Sequence, residues 1–246
     1  MRAIAAALGL ALLALAAPGM ASAQTSASAD AAHAAAGGDY RQAVRGYEQA
    51  LRQHGYSAPV LFNQGNSWLR LGQPGPAILA YERALVLAPG NAAIAANLAT
   101  ARQRAGIAAP VVGTWLTVVH YFSFDTYTWA ALAAVWVLSA ALVLLCLHGA
   151  ARRIAKPLIL VSVAVLCASA DAAVLCWPDL SRAVVQAAVP LQLAPAHSAA
   201  ASGTLREGEV VWIQGHYGGF DLVRTADGHS GWTPADVALA VRAGPP

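Results

Sequence analysis

Two long apolar segments joined by a short basic loop constrain this chain more than any other feature. Residues 128–147 contain no charged side chain, and a helix of about 20 residues crosses the roughly 30 Å hydrocarbon core of a bilayer. Residues 157–177 form a second segment of similar length. The loop between them, residues 148–156, holds two Arg and the only Lys of the chain, and the positive-inside rule places such a loop in the cytoplasm. The sequence therefore predicts a two-helix transmembrane hairpin with both flanking regions outside the cytoplasm.

The composition agrees with a membrane-bound chain and argues against nucleic-acid binding. Of the 246 residues, 58% are hydrophobic and 11% are charged, which is too apolar for an ordinary soluble domain. Neither flanking region has the clustered positive charge that nucleic acids require, since residues 24–110 carry seven Arg against four acids and residues 178–246 four Arg against six. The cysteines are Cys146, Cys167 and Cys176, all in or beside the apolar segments. The flanking regions therefore contain no disulfide, thiol nucleophile or Cys metal ligand.

The N-terminus has the pattern of an export signal. Arg2 precedes an apolar run over residues 4–17, and the small residues Ala, Ser and Ala follow at 21–23. A basic head, an apolar core and an A-x-A site together indicate a cleavable signal peptide over residues 1–23, with an uncleaved membrane anchor as the alternative. Export of the N-terminus agrees with the topology that the basic loop predicts.

Residues 24–109 contain an internal repeat. The segments AVRGYEQAL at 43–51 and AILAYERAL at 77–85 match with a spacing of 34 residues. This period and its Ala, Tyr and Glu positions resemble the tetratricopeptide repeat, a helix–turn–helix unit. The second copy fits the pattern well, the first is degraded, and a further helix after Pro89 is expected to cap the array. We therefore predict an α-helical tetratricopeptide array of two repeats with a capping helix.

The resemblance to tetratricopeptide repeats implies a concave groove that binds an extended or helical segment of a partner. Side chains at the equivalent positions of successive first helices supply apolar contacts, and Asn and Arg groups that a peptide backbone or carboxylate needs. The candidate partner-binding residues are Phe62, Asn63, Asn66, Leu69, Arg70, Asn97 and Arg104. The alternative is that the Asn side chains bond neighbouring helical turns while the arginines are solvated surface.

Two further features adjoin the apolar segments. Residues 110–127 are rich in aromatic rings, which predicts an interfacial aromatic segment along the outer face of the membrane. Asp171 is the single charge within the second segment. Intramembrane carboxylates are costly and often functional. Because this one lies near the outer end, it is interpreted as an interfacial residue or a contact to a partner helix, ahead of ion transport.

Residues 182–241 change to short β-type runs separated by Gly-Gly and Asp-Gly turns, the pattern of a small β-barrel. The order of these runs resembles the bacterial SH3 domain, with Phe220 where that family commonly has Trp and Thr233 where Val is common. The resemblance implies cell-wall peptide as a ligand. Alternatively, Trp212 and Trp232 are core residues.

Signal peptide, tetratricopeptide pair, membrane hairpin and terminal SH3-like barrel, in this order, resemble the BatE-like branch of the bacterial aerotolerance (Bat) operon family. The resemblance is carried by NQGNSWLRLGQPGPAILAYERALVLAPGN at 63–91, by Thr128-Trp129 and by the REGEVV, GGF and ADGHSGW runs of the barrel. It implies a bacterial inner-membrane complex with von Willebrand factor A-type proteins and a MoxR-type AAA+ ATPase. It also implies a role in stress tolerance, with the N- and C-terminal domains on the periplasmic side.

The predicted fold class is a multi-domain α plus β membrane protein. It combines an α-helical tetratricopeptide array, a two-helix transmembrane hairpin and a small SH3-like β-barrel. No nucleophile–base set, phosphate loop or metal-ligand spacing is found, so we predict no catalytic residue, cofactor or metal. The predicted function is a non-enzymatic membrane-anchored scaffold that binds a protein partner. The alternative is a peptidoglycan-binding protein that acts through the barrel, and an enzyme or transporter is disfavoured.

Overall fold

The computed structural model describes residues 26–108, 124–146, 151–176 and 181–242. The predicted signal peptide, residues 1–23, lies outside the described residues. So does the predicted aromatic segment 110–127, except for its last four residues, which are helical.

The first described range folds into five helices that pack on one another in chain order, α1 with α2, α2 with α3, α3 with α4 and α4 with α5. Their bounds are α1 (Ser26–Ala36), α2 (Tyr40–His54), α3 (Ala58–Arg70), α4 (Pro74–Leu87) and α5 (Ala92–Ala105). This is the succession of two helix pairs and one further helix that the repeat predicts.

Polar side chains and glycine set the ends of these helices. The Asp39 carboxylate accepts a hydrogen bond from the Gln42 backbone N–H at 2.9 Å and so caps the start of α2. The Asn91 side chain caps α5 in the same way. Gly106 ends α5 with φ of +68°, a left-handed conformation that glycine adopts without a steric penalty.

The residues shared by the two repeats form the contacts between paired helices. Tyr81 of α4 is fully buried, and its ring leaves no room for a side chain at Gly65, where a Cβ atom would lie 2.6 Å from the ring. Tyr47, its counterpart in the first repeat, is also buried and packs beside Ala31 and Ala43. The 34-residue spacing therefore repeats the same packing of an aromatic ring against small residues.

Residues 181–242 form a seven-stranded antiparallel sheet with the strand order β3-β2-β6-β5-β4-β1-β7. The strands are β1 (Arg182–Val185), β2 (Val189–Gln192), β3 (Ala201–Leu205), β4 (Val210–Tyr217), β5 (Phe220–Thr225), β6 (Ser230–Pro234) and β7 (Ala238–Ala240). Its buried side includes Leu191, Leu205, Val211 and Val223. The prediction of short strands joined by tight turns is confirmed, and the whole is a mixed α and β protein.

Two long apolar helices, α6 (Phe124–Cys146) and α7 (Ala151–Cys176), pack against each other. Their apolar stretches Thr126–Cys146 and Arg153–Val174 have mean hydropathies of 2.3 and 2.1 and are long enough to cross a membrane. Only 11% and 17% of these stretches are buried, whereas a core helix of a soluble protein is mostly covered.

The apolar helices begin earlier than the sequence predicts. α6 starts four residues before the predicted position 128, and α7 starts within the predicted loop 148–156. The two Arg and the Lys of that loop therefore lie in the first turns of α7. Arg, Ala and Lys are strong helix formers, and a proline near the start of a helix interrupts few hydrogen bonds, so the helix extends ahead of Pro157.

α4 also contacts the sheet, which joins the repeats and the strands through one buried cluster. Val184 of β1 and Val241, next to β7, pack with Ile78 and Tyr81 of α4. At the N-terminal end of α4, the Gly75 backbone N–H donates a hydrogen bond to Glu207 Oε1 at 2.9 Å.

The polar centre of this contact is Glu82, whose side chain is 4% exposed. Arg102 of α5 donates to Glu82 Oε1, and Arg182 of β1 donates to Oε2 at 2.5 Å. The two arginines thus satisfy both oxygens of a buried carboxylate, which would otherwise be costly.

The next residue, Arg83, extends the contact to the edge strand β7. Its guanidinium donates to the Ala240 carbonyl at 2.9 Å and lies 5.3 Å from the centre of the Tyr56 ring. Burial lowers the pKa of the Arg83 guanidinium, and the neighbouring Tyr56 opposes this effect. Adjacent residues of α4 therefore bind both β1 and β7.

We predict that Glu82→Gln destabilises the joined region by about 3–5 kcal/mol, because it leaves two partly buried arginines without their carboxylate. The measurement is the free energy of unfolding of the intact chain in mild detergent, with hydrogen exchange of the β1 amides as a local readout. Glu48→Gln is the matched control, since Glu48 occupies the equivalent position 34 residues earlier. Equal effects of the two substitutions would contradict the prediction.

Candidate functional site

An open depression of about 330 Å³ lies among α1, α2 and α3, on helices other than the pair α4 and α5 that carries the contact with the sheet. It is lined by Ala32, Ala35, Ala36, Tyr40, Tyr47, Asn63, Asn66, Ser67 and Arg70. The alanines leave the space, while the hydroxyl, amide and guanidinium groups supply donors at its wall. The depression thus combines small apolar side chains with polar groups that suit a peptide.

Three of the predicted partner-binding residues, Asn63, Asn66 and Arg70, line this depression. They lie on α3, one turn apart from each other, and Arg70 is exposed at the C-terminal end of the helix. The spacing of three and four residues that grouped them in the sequence also groups them in the structure.

The other four predicted residues lie beside the depression and make internal contacts. Phe62 and Leu69 are partly buried against the helical core, and the Phe62 ring centre is 6.0 Å from that of Tyr81. On α5, Asn97 Nδ2 donates to Asn66 Oδ1 at 2.8 Å, and Arg104 Nη1 donates to the Leu69 carbonyl at 3.2 Å. These contacts connect α5 to α3.

Asn66 is the point where the depression meets the core. Its Oδ1 accepts hydrogen bonds from the Tyr81 hydroxyl at 2.7 Å and from Asn97 Nδ2. Burial raises the pKa of Tyr81 to about 12, although the nearby Asn97 side chain and the charge of Arg104 oppose the shift. The Tyr81 hydroxyl therefore stays protonated and donates at neutral pH, which fixes the orientation of the Asn66 amide.

The first repeat contributes half of the depression, and the sequence reasoning missed these residues. Ala32, Ala35 and Ala36 lie on α1, and Tyr40 and Tyr47 lie seven residues apart on α2. For the three alanines, the sequence feature that could have indicated the depression is the lack of large side chains at positions 32, 35 and 36, which share one helical face. In the structure, these three small side chains leave the space that the depression occupies.

A second group of aromatic rings lies on the sheet. Tyr217 is 67% exposed and meets the Trp232 ring edge-on, with the ring centres 6.4 Å apart. Next to this pair, the His197 and Phe220 rings pack at 4.8 Å. Trp212 and Trp232 are half-buried and are not part of the buried cluster of the sheet.

His216 and Asp221 form a close pair of titratable side chains on the sheet. His216 Nδ1 lies 2.5 Å from Oδ1 of Asp221, which is buried while the His216 side chain is 74% exposed. Within the described residues, no three His, Cys, Asp or Glu side chains are placed to hold a metal ion.

Comparison with known families identifies one segment. Residues 58–91 match the tetratricopeptide repeat family model, and this segment covers α3, α4 and the turn that follows. The helical region is therefore a tetratricopeptide-type array, as its 34-residue period predicts. The comparison with curated proteins gives no match.

We predict that Asn66→Ala lowers the free energy of unfolding of the intact chain by about 1–3 kcal/mol, because the buried Tyr81 hydroxyl and the Asn97 amide lose their shared acceptor. Asn63→Ala is the matched control on the same helix, since no described residue forms a hydrogen bond with its side chain. Denaturant titration in mild detergent measures both variants. If the two substitutions cost the same, Asn66 has no special role in the core.

Proposed function

We propose that this chain is a non-enzymatic, membrane-anchored adaptor that holds a segment of a partner protein in the depression among α1, α2 and α3. The observation that carries the proposal is the position of this depression within a tetratricopeptide-type array, a fold whose general use is protein–protein interaction. Arg70 and two tyrosines contribute donor groups to its lining, and the small alanine side chains leave room for a main chain.

The docking of the sheet supports this assignment. The sheet contacts α4 and the end of α5, whereas the depression is built from the three helices before them. A partner can therefore occupy the depression while the repeats remain bound to the sheet. The two apolar helices, which are scarcely buried, supply the anchor in this proposal.

The finer assignment is an inner-membrane complex of the aerotolerance type. In this assignment α6 and α7 cross the bacterial inner membrane, and the repeats and an SH3-like sheet lie on the periplasmic side. The partners are von Willebrand factor A-type membrane proteins and a MoxR-type ATPase. The order of segments in the BatE-like resemblance supports it, together with the basic residues at the start of α7, which favour a cytoplasmic hairpin turn.

Site-specific photocrosslinking in the native cell tests the adaptor function. With benzoylphenylalanine in place of Ala36, an exposed residue of the depression, we expect a covalent adduct with a membrane-associated protein, identifiable by mass spectrometry. Arg70→Glu in the same chain should abolish the adduct by reversing the charge at the wall, without disturbing the core.

The matched control places the same photoreactive group at Gln49, an exposed residue of α2 about half a helical turn away from Tyr47. An adduct of equal yield at Gln49, or an adduct at Ala36 that persists with Arg70→Glu, would contradict partner binding in the depression.

A peptidoglycan-binding protein remains the second candidate, and the exposed pair of Tyr217 and Trp232 is the observation that favours it. Aromatic faces stack on sugars and peptides. The test is co-sedimentation of the intact chain in detergent with insoluble cell wall. The adaptor function predicts no retention, whereas retention that Tyr217→Ser removes would favour the second candidate.

A further inference from the structure

The face of α7 that points away from α6 carries a carboxylate. Asp171 lies nine residues after Ser162, and at 3.6 residues per turn this is about two and a half turns, so the two side chains point in opposite directions. Ser162 is 2% exposed, within the hairpin, whereas Asp171 is exposed. The carboxylate therefore lies outside the contact between the two helices.

Asp171 belongs to a continuous exposed stripe on α7. We call this the outer stripe of α7, and it consists of Leu160, Ala164, Cys167, Ala168, Asp171 and Val174. Leu160 and Val174 at its ends are 73% and 72% exposed. At its centre, Ala164 and Ala168 are four residues apart, which is the small-xxx-small spacing that lets two membrane helices approach closely.

The contact between α6 and α7 is formed by a different face of α7. The buried residues Ala134 and Ala141 of α6, and Ala155, Ser162 and Ser169 of α7, recur every seven residues and form the seam between the helices. The outer stripe thus has the same kind of small residues as the seam but no helix against it among the described residues.

A lipid-facing carboxylate is unfavourable, and acidic residues in membrane spans almost always face another protein segment or a water-filled cavity. Asp171 lies three residues before Val174, where the apolar stretch ends, so it is still within the stretch that would cross the membrane. The negative charge of Asp171 also indicates which kind of transmembrane helix can pack against it. A second copy of this hairpin would bring two like charges together, while a cationic side chain at the same depth would neutralise the carboxylate.

We propose that the outer stripe of α7 docks a transmembrane helix of another protein that carries an Arg or Lys at the depth of Asp171. The inference rests on the proposed membrane anchoring of the chain. It adds a contact within the membrane to the one in the depression, so a partner can be held by both its exported segment and its span.

Energy transfer in lipid vesicles tests this contact with a defined probe. Every sample carries Cys167→Ser and Cys176→Ser, so the change at Cys167 within the outer stripe is common to all comparisons. An acceptor fluorophore is attached to Cys146, which is exposed on α6 and lies off the outer stripe. The probe is a synthetic apolar transmembrane peptide of about 22 residues with a donor fluorophore and a single Arg three residues from its outer end. The matched probe has Leu in place of that Arg.

We expect the Arg peptide to associate about tenfold more tightly than the Leu peptide, in line with the strength of polar contacts between membrane helices. Asp171→Asn should remove this difference, because it keeps the shape and loses the charge, whereas Asp171→Glu should preserve it. Equal association of both peptides, or a difference that survives Asp171→Asn, would overturn the proposal. Energy transfer between two labelled copies of the chain that depends on Asp171 would assign the stripe to self-association instead.

Alkaline extraction of the same vesicles separates failure of this inference from failure of the anchor. A chain that remains in the vesicles and shows no preference for the Arg peptide refutes the docking contact alone. A chain that is extracted refutes the membrane anchor, and with it the docking contact.

Discussion

The buried carboxylate of Glu82 is the interaction on which the arrangement of the repeats and the sheet depends. It lies on α4, which contacts α3, α5 and the sheet, and its two oxygens bind one arginine from α5 and one from β1. A carboxylate in such a position is stable only while both arginines are in place, because each charge would otherwise be buried without compensation. The ion pairs therefore tie the position of β1 to the position of α5, with Val184 and Val241 packed beside them.

The sheet performs for this array the task that a further polar helix performs in longer repeat proteins. A repeat array needs a terminal element that covers the apolar surface of its last pair. Here Val184, Val210 and Val241 cover α4 alongside α5, and the Gly208 backbone approaches Ile78 so closely that a Cβ atom would lie 2.5 Å from its Cδ1. The array is closed at this end, so a segment bound in the depression, as proposed, would extend toward α1 rather than past α5.

The sequence predicted the elements better than it predicted their contacts. Repeats, short strands and apolar helices each have a periodic pattern, and all three were recognised from residues close together in the chain. The contact between repeats and sheet joins Glu82 to Arg182, which are 100 residues apart, and no local pattern indicates it. The opposite net charges of the two regions favour a contact between them, but they do not indicate this pair, because the acid comes from the positive region and the arginine from the negative one.

For the candidate site, too, the sequence indicated which residues share a helical face better than it indicated their contacts. Asn63, Asn66 and Arg70 share a helical face and line the depression, as their spacing predicts, whereas the Asn97 amide donates a hydrogen bond to Asn66. An Asn on the inner face of a helix has the same sequence spacing whether it contacts a ligand or forms an internal hydrogen bond. Only the positions of the neighbouring side chains distinguish the two roles. A lack of large side chains, as at the alanines of α1, indicates a binding depression less clearly in a sequence than polar side chains do.

The short connection between α7 and the sheet limits where the depression can lie if the hairpin crosses a membrane. β1 begins six residues after the end of α7, and six residues span at most about 20 Å. Because α4 binds β1 and β7 directly, the repeats share this limit and cannot move far from the bilayer while Glu82 keeps its partners. A segment bound in the depression would then belong to a protein whose chain also lies at the membrane surface. The outer stripe of α7 and the depression are thus two contacts that one membrane partner could make together.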